Sequence, residues 1–325
     1  MKRVCVVGPG TIGSLFAGHL AQVAEVSVLT RRAEHARTLR RGLRVSGKSE
    51  LRARLLADED PAALPAADLV IVACKATQLE RVAQTIEGHF PDAVVMTVQN
   101  GIGAEEIVRR HGPWPIVSAV TFMSGVRHGD AHVEYELDTA TWMGPYAGTA
   151  TPFAVVEEIR ALLVASGLKA EAFEDLMPAQ WSKLIFNSAV NCVAALTGLP
   201  HVGAYADVDT ADGLGHVVRA VVDEGRAVAA AAGIELHEDP WEMNVRAVRR
   251  GATAAAAGAY AHVPSMLEDV LHQRPTEVDF IAGALVGEAE RHGVPVPVTA
   301  ALWRLVRGRE ASWSLEARFP EAVTA

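Results

Sequence analysis

Val4-Cys5-Val6-Val7-Gly8-Pro9-Gly10-Thr11-Ile12-Gly13 decides how the first half of this chain is read. A short apolar run leads directly into a G-x-G-x-x-G, and residues 12–23 then carry a helical pattern. At such a junction Gly8 permits the tight turn, Gly10 lets the backbone approach a pyrophosphate, and Gly13 lets helix and strand pack closely. The unpaired N–H groups and positive dipole end of the helix favour an anion. Gly8, Pro9, Gly10, Thr11, Ile12 and Gly13 are therefore candidate dinucleotide contacts. A glycine turn without a ligand would share the pattern, but not its place at the start of a βαβ unit.

Outward from this loop the alternation continues. Strands are expected at 3–7, 26–29, 68–73, 93–98 and 116–121, with helices at 12–23, 33–41 and 77–88 between them. Continuous apolar runs such as Asp68-Leu69-Val70-Ile71-Val72-Ala73 suit strands buried on both faces, which implies a parallel α/β sheet. Residues 131–143 alternate polar and apolar and read as an antiparallel edge. From about Pro178 strand signals stop, and helices are expected at 179–196, 211–232, 240–260, 264–272, 276–292 and 297–310. The fold class is thus an N-terminal α/β domain followed by an all-α domain. The boundary lies near 170–178, giving domains 1–175 and 176–325.

The 325 residues suffice for two domains, and 50% hydrophobic content supplies their cores. A net charge of −9 argues against a nucleic-acid partner. No run of about 18 apolar residues exists to span a membrane. Cys5, Cys74 and Cys192 are too scattered for a disulfide framework or a metal site, and read as buried thiols of a cytoplasmic protein. The alanine-rich tracts 227–232 and 254–257 suit close helix packing within one subunit or between two, so a homodimer is compatible with the sequence.

Where the second strand ends, an NAD site usually carries a carboxylate for the ribose hydroxyl. This chain has Thr30-Arg31-Arg32 instead, and a guanidinium suits a 2′-phosphate. That favours NADPH/NADP+, with Arg31 the contact and Arg32 equally readable as a surface charge. Lys75 and Gln99-Asn100-Gly101 follow two further buried strands, at the end of the sheet where ligands bind. Lys75 and Asn100 are candidate cofactor contacts, although Asn-Gly is also a common turn pair.

In Trp181-Ser182-Lys183-Leu184-Ile185-Phe186-Asn187-Ser188-Ala189-Val190-Asn191 the polar residues Lys183, Asn187 and Asn191 recur at i, i+4 and i+8. They form one stripe on a largely apolar helix. Such a stripe must find partners in a ligand cleft or on other helices. A lysine there suits ketone reduction, since an ammonium stabilises the charge growing on the carbonyl oxygen and donates the proton. Ser265 and Glu277 each follow or nearly follow a proline suited to a helix start, and read first as a cap and a first-turn charge.

Taken together these segments resemble the ketopantoate reductases (2-dehydropantoate 2-reductases). The likeness rests on GPGTIG at 8–13, Lys75, Gln99-Asn100-Gly101-Ile102-Gly103, and Trp181-Ser182-Lys183-Leu184 with Asn187 and Asn191. Ser265-Met266-Leu267-Glu268-Asp269, Arg274-Pro275-Thr276-Glu277-Val278-Asp279 and His292-Gly293-Val294-Pro295-Val296-Pro297 extend it. The resemblance implies a Rossmann-type dinucleotide-binding domain, a helical substrate domain and a cleft between them. It further implies NADPH-dependent reduction of 2-dehydropantoate to (R)-pantoate, on the route to pantothenate and coenzyme A. Lys183 looks like the proton donor, and Asn187, Asn191 and Ser265 like substrate contacts. Gly8–Gly13, Lys75 and Asn100 look like cofactor contacts, and Glu277 like a cofactor or active-site contact. No metal is implied. The chain departs from the family pattern at Cys192-Val193-Ala194-Ala195, where Pro-Leu-Thr-Ala is usual, and at His201 and His262, where asparagine is common. These departures keep a different branched 2-keto acid open as substrate. A non-catalytic NADP-binding sensor is a further reading.

Overall fold

The computed structural model describes residues 1–211, 213–256 and 263–316. The chain forms two compact units: Met1–Gln99 with Gly103–Leu176, and Asn100–Ile102 with the chain from Met177 onward.

The first unit runs β1 (Arg3–Val7), α1 (Thr11–Leu20), β2 (Glu25–Leu29), α2 (Ala33–Arg40), β3 (Leu43–Gly47), β4 (Leu51–Ala53), β5 (Leu56–Asp58), β6 (Leu69–Val72) and α3 (Leu79–Ile86). It continues with β7 (Val94–Thr97), α4 (Ala104–Arg109), β8 (Ile116–Thr121), β9 (Ser124–Gly129), β10 (His132–Leu137), β11 (Thr141–Pro145), α5 (Phe153–Ala165) and β12 (Ala170–Ala172). Its main sheet has the order β12-β11-β8-β7-β6-β1-β2-β5. From β8 to β5 all neighbours are parallel, and β11 alone runs antiparallel to its neighbour β8. The period of two along β1 and β6 accounts for the continuous apolar runs. Val4, Val6, Leu69 and Ile71 enter one core, while Cys5, Val7, Val70 and Val72 enter the core on the other face.

The alternating segment 131–143 divides between two sheets. β11 joins the main sheet antiparallel to β8, whereas β10 lies inside a second sheet of order β4-β3-β10-β9. There β10 pairs antiparallel with β9 and parallel with β3, so it is not an edge strand. Its alternation arises because Val133 and Tyr135 are buried while the even-numbered residues face outward.

The second unit is helical: α6 (Met177–Thr197), α7 (Gly215–Ala231), α8 (Pro240–Ala256), α9 (Ser265–Leu271), α10 (Ala282–His292) and α11 (Pro297–Glu316). Helix α6 is its axis, and each of the other five packs against it. This explains why α6 has no solvent-exposed face over this stretch: every residue from Ala179 to Ala195 is buried, the polar ones included. Two helix starts differ from expectation. α7 begins at Gly215, because the Asp207 side chain accepts from the amides of Asp209 and Thr210 and holds a turn before it. α10 begins at Ala282 rather than 276. The amides of Phe280 and Ile281 both turn back to the Glu277 carbonyl, and Ile281 (φ −103°, ψ −91°) interrupts the helical path. Among the described residues no helix is long and apolar enough to cross a membrane.

Candidate active site

The glycine loop occupies the tip of β1 as its sequence requires. Gly8 has φ +89°, and a Cβ there would lie 2.8 Å from the Cys74 backbone nitrogen. A Cβ on Gly13 would lie 2.2 Å from the Gly8 carbonyl oxygen, so both positions exclude any side chain. Gly10 is different: a Cβ would meet nothing within 4 Å. Gly10 also precedes α1 as its cap residue and offers no side-chain cap, so the first-turn amides of Thr11, Ile12 and Gly13 face outward without a capping oxygen. Close-packed glycines below, open space above and uncapped amides at a helix start fit a pyrophosphate.

Strand adjacency brings the other first-unit candidates to the same end of the sheet. β2 and β6 flank β1, so Arg31 and Lys75 emerge beside Gly8. Lys75 is half-buried and begins a short 3₁₀ turn over Ala76–Gln78. The two arginines separate clearly. One Arg32 guanidinium nitrogen donates to both Asp130 carboxylate oxygens at 2.7 and 2.8 Å, while Arg31 is exposed and has no polar partner among the described residues.

The second unit assembles Lys183, Asn100 and Glu277. Lys183 lies in the middle of α6 and is only 8% exposed. Its Nζ donates to Asn100 Oδ1 at 2.8 Å, and Asn100 Nδ2 donates to Glu277 Oε2 at 3.3 Å. Asn100 reaches this position because the following turn is pinned to the segment before α10. Gly101 has φ +90°, a Cβ there would fall 1.9 Å from the Phe280 carbonyl oxygen, and the Ile102 amide donates to that same oxygen. Burial pulls the Lys183 ammonium down to about 8, and the Glu277 carboxylate opposes that fall. The group can therefore hold or release a proton near neutral pH.

One and two turns further along α6 stand Asn187 and Asn191, each 6% exposed. Neither side chain makes a hydrogen bond to another described residue. By contrast, Ser182 and Ser188 on the same helix donate to carbonyls one turn back. Buried amides with unspent hydrogen-bonding capacity are costly unless a ligand completes them. Ser265 is exposed at the first residue of α9, a helix that packs on α6.

The departures from the family pattern are of two kinds. Cys192, Val193, Ala194 and Ala195 are at most 4% exposed and belong to the helix core. His201 is also buried, but its ring stacks on Phe186, the neighbour of Asn187 on α6, at 6.1 Å between centroids. His262 lies outside the described residues. The sequence reading did not find the lysine–asparagine–glutamate chain itself. Only fold geometry joins positions 100, 183 and 277, and the one available hint was a glycine after Asn100.

Two family models cover nearly the whole chain. "Ketopantoate reductase PanE/ApbA" matches residues 4–148 and "Ketopantoate reductase PanE/ApbA C terminal" matches residues 175–310. A 2-dehydropantoate 2-reductase of Archaeoglobus fulgidus is 31% identical, over 96% of this chain and 99% of its own. The chain belongs to the ketopantoate reductase family. It thereby has the family's two parts, a Rossmann-like α/β domain and an all-helical C-terminal domain, and is an oxidoreductase by family. Solved structures agree. The PanE/ApbA family ketopantoate reductase of Ralstonia eutropha superposes with a TM-score of 0.80 at 27% identity, covering 96% of this chain and 99% of its own. D-mandelate dehydrogenase, solved with NADH and anilino(oxo)acetate, superposes with a TM-score of 0.83 at 25% identity, with the same coverage. Ketopantoate reductases and a dehydrogenase of another 2-hydroxy acid are thus both similar to this chain.

Proposed function

We propose that this ketopantoate reductase family member reduces 2-dehydropantoate to (R)-pantoate with NADPH, in the cytoplasm. Residues 1–175 hold the dinucleotide and residues 176–325 hold the keto acid. The observation that carries the proposal is the buried Lys183 ammonium, fixed by Asn100 and followed along one helix face by two asparagines with unspent amides.

When bound, the reduced nicotinamide supplies hydride to the carbonyl carbon. The Lys183 ammonium stabilises the negative charge growing on the carbonyl oxygen and donates the proton to it. Asn100 fixes the direction of Nζ, and Glu277 keeps enough of the lysine protonated near neutral pH. The neutral amides of Asn187 and Asn191, with the Ser265 hydroxyl, orient the acid without neutralising the ammonium. At the other end, the amides of Thr11, Ile12 and Gly13 would hold the pyrophosphate, with Lys75 following the neighbouring strand, and Arg31 would hold a 2′-phosphate.

A second reading keeps the chemistry and changes the substrate to another 2-keto acid. It is favoured by the ring stack of His201 on Phe186 beside Asn187, and by the likeness to D-mandelate dehydrogenase. NADPH oxidation across a panel containing 2-dehydropantoate, 2-oxoisovalerate and phenylglyoxylate separates the two. The expected result is a kcat/KM for 2-dehydropantoate at least about tenfold above the others, the worth of about one net hydrogen bond to its hydroxyl. A preference for another acid establishes the second reading, and NADPH binding with no turnover of any acid overturns both.

A further inference from the structure

Gln99 ends the segment that follows β7 and is buried. Its Nε2 donates twice, to the carbonyl oxygens of Val72 at 2.8 Å and Cys74 at 2.9 Å, and so clamps the tip of β6 to the tip of β7. Its Oε1 is buried with no hydrogen-bond partner. A buried orphan acceptor is destabilising, and an apolar side chain of the same shape would avoid it. The two bonds made by its donors offset that cost.

The clamped residue is the floor of the glycine loop. The Cys74 backbone nitrogen and Cα lie 2.8 and 3.0 Å from where a Gly8 Cβ would be, and the Ala73 Cβ lies 3.2 Å from where a Gly13 Cβ would be. Lys75 is the next residue after Cys74. Both Gln99 donors are thus spent on carbonyls, and they fix the strand tip against which the loop is packed and from which Lys75 leaves. We propose that Gln99 is a positioning residue for dinucleotide binding, acting through the Val72 and Cys74 carbonyls to set the glycine loop and Lys75. The inference rests on the dinucleotide reading of that loop.

The test compares the full-length protein with Gln99→Leu, which keeps the volume and removes both donors. Titration with NADPH is followed by steady-state kinetics in each substrate. For Gln99→Leu the expected result is at least a tenfold loss of NADPH affinity and a matching rise in its KM. At saturating NADPH, kcat and the keto-acid KM stay within threefold. NADPH affinity within threefold of wild type in the folded variant overturns the proposal, as does an equal rise in both KM values. Gln99→Glu provides the second arm and decides the matter if Gln99→Leu does not fold. Its carboxylate cannot donate, while its protonated form can donate once, so its NADPH affinity relative to wild type should recover in part as pH falls. A ratio that does not change with pH overturns the proposal. Failure of the wild-type protein to bind any nicotinamide dinucleotide would instead remove the underlying functional reading.

Discussion

On the proposed reading the tip of β1 offers a ligand its backbone, whereas α6 offers side chains, and the two regions are built differently. The glycine loop works by lacking atoms: Gly8 and Gly13 have no room for a Cβ, and Gly10 leaves open space in front of uncapped amides. Its cost is conformational and is met by packing against β6. Helix α6 works by burying polar atoms where apolar ones would be more stable. Its cost is desolvation, visible in the Lys183 ammonium pulled down to about 8. The backbone site is therefore spelled out in a short local motif. The side-chain site depends on partners supplied from distant segments.

The sharpest way to break this comparison is Lys183→Met. Loss of the proposed proton donor should lower kcat by about 10²- to 10⁴-fold. Stability should move the other way as pH changes. A lysine normally near 10.5 that sits at about 8 in the folded protein destabilises it fully below pH 8. That penalty, about 3 kcal/mol, fades as pH rises from 8 to 10.5, because the unfolded chain still binds the proton there. Wild-type Tm should therefore gain a contribution across that window that Lys183→Met lacks. At pH 7 the variant should be no less stable than wild type by more than about 1 kcal/mol, the lost Asn100 bond offsetting the relieved desolvation. Near-normal turnover would remove Lys183 from the chemistry, and parallel pH–Tm curves would refute its strained protonation.

The first unit predicts an intermediate effect confined to one ligand. Arg31→Ala should weaken NADPH by about ten- to a hundredfold, the loss of a charge-assisted contact, with NADH changed by less than about threefold. Arg32→Ala should affect the two nucleotides alike and less, because its guanidinium is already held by Asp130. Equal weakening of NADPH and NADH by Arg31→Ala would defeat the 2′-phosphate assignment.

The smallest effect is the most specific. Glu277→Gln preserves the hydrogen bond geometry toward Asn100 but removes the charge that raises the Lys183 pKa. The alkaline fall of kcat, expected near pH 8 in wild type, should move to lower pH in the variant. An unmoved limb would show that Glu277 does not set the lysine's protonation.

Much of both units was legible in the residues. The runs at 69–72, 94–97 and 116–121 are strands because every side chain in them finds a core, and their apolar continuity says so. The stripe of Lys183, Asn187 and Asn191 was visible because helical spacing is a property of the local chain. The small sheet of β3, β4, β9 and β10 was not read. Its strands are short and interleave with main-sheet strands, so neither periodicity nor spacing announces their pairing. The start of α10 was misplaced for a related reason: a proline suited to a first turn precedes a segment whose amides instead fold back on the Glu277 carbonyl.

By itself, then, the sequence determined the glycine loop, the parallel strands around it, the helical second half and the polar stripe, since each depends on neighbours within a few residues. Tertiary structure alone decided which groups surround the lysine. Asn100, Lys183 and Glu277 are separated by 83 and 177 residues measured from Asn100. Their meeting depends on where a turn is pinned rather than on any local preference. It also decided which arginine is spoken for, because Asp130 comes to Arg32 from 98 residues away and leaves Arg31 exposed.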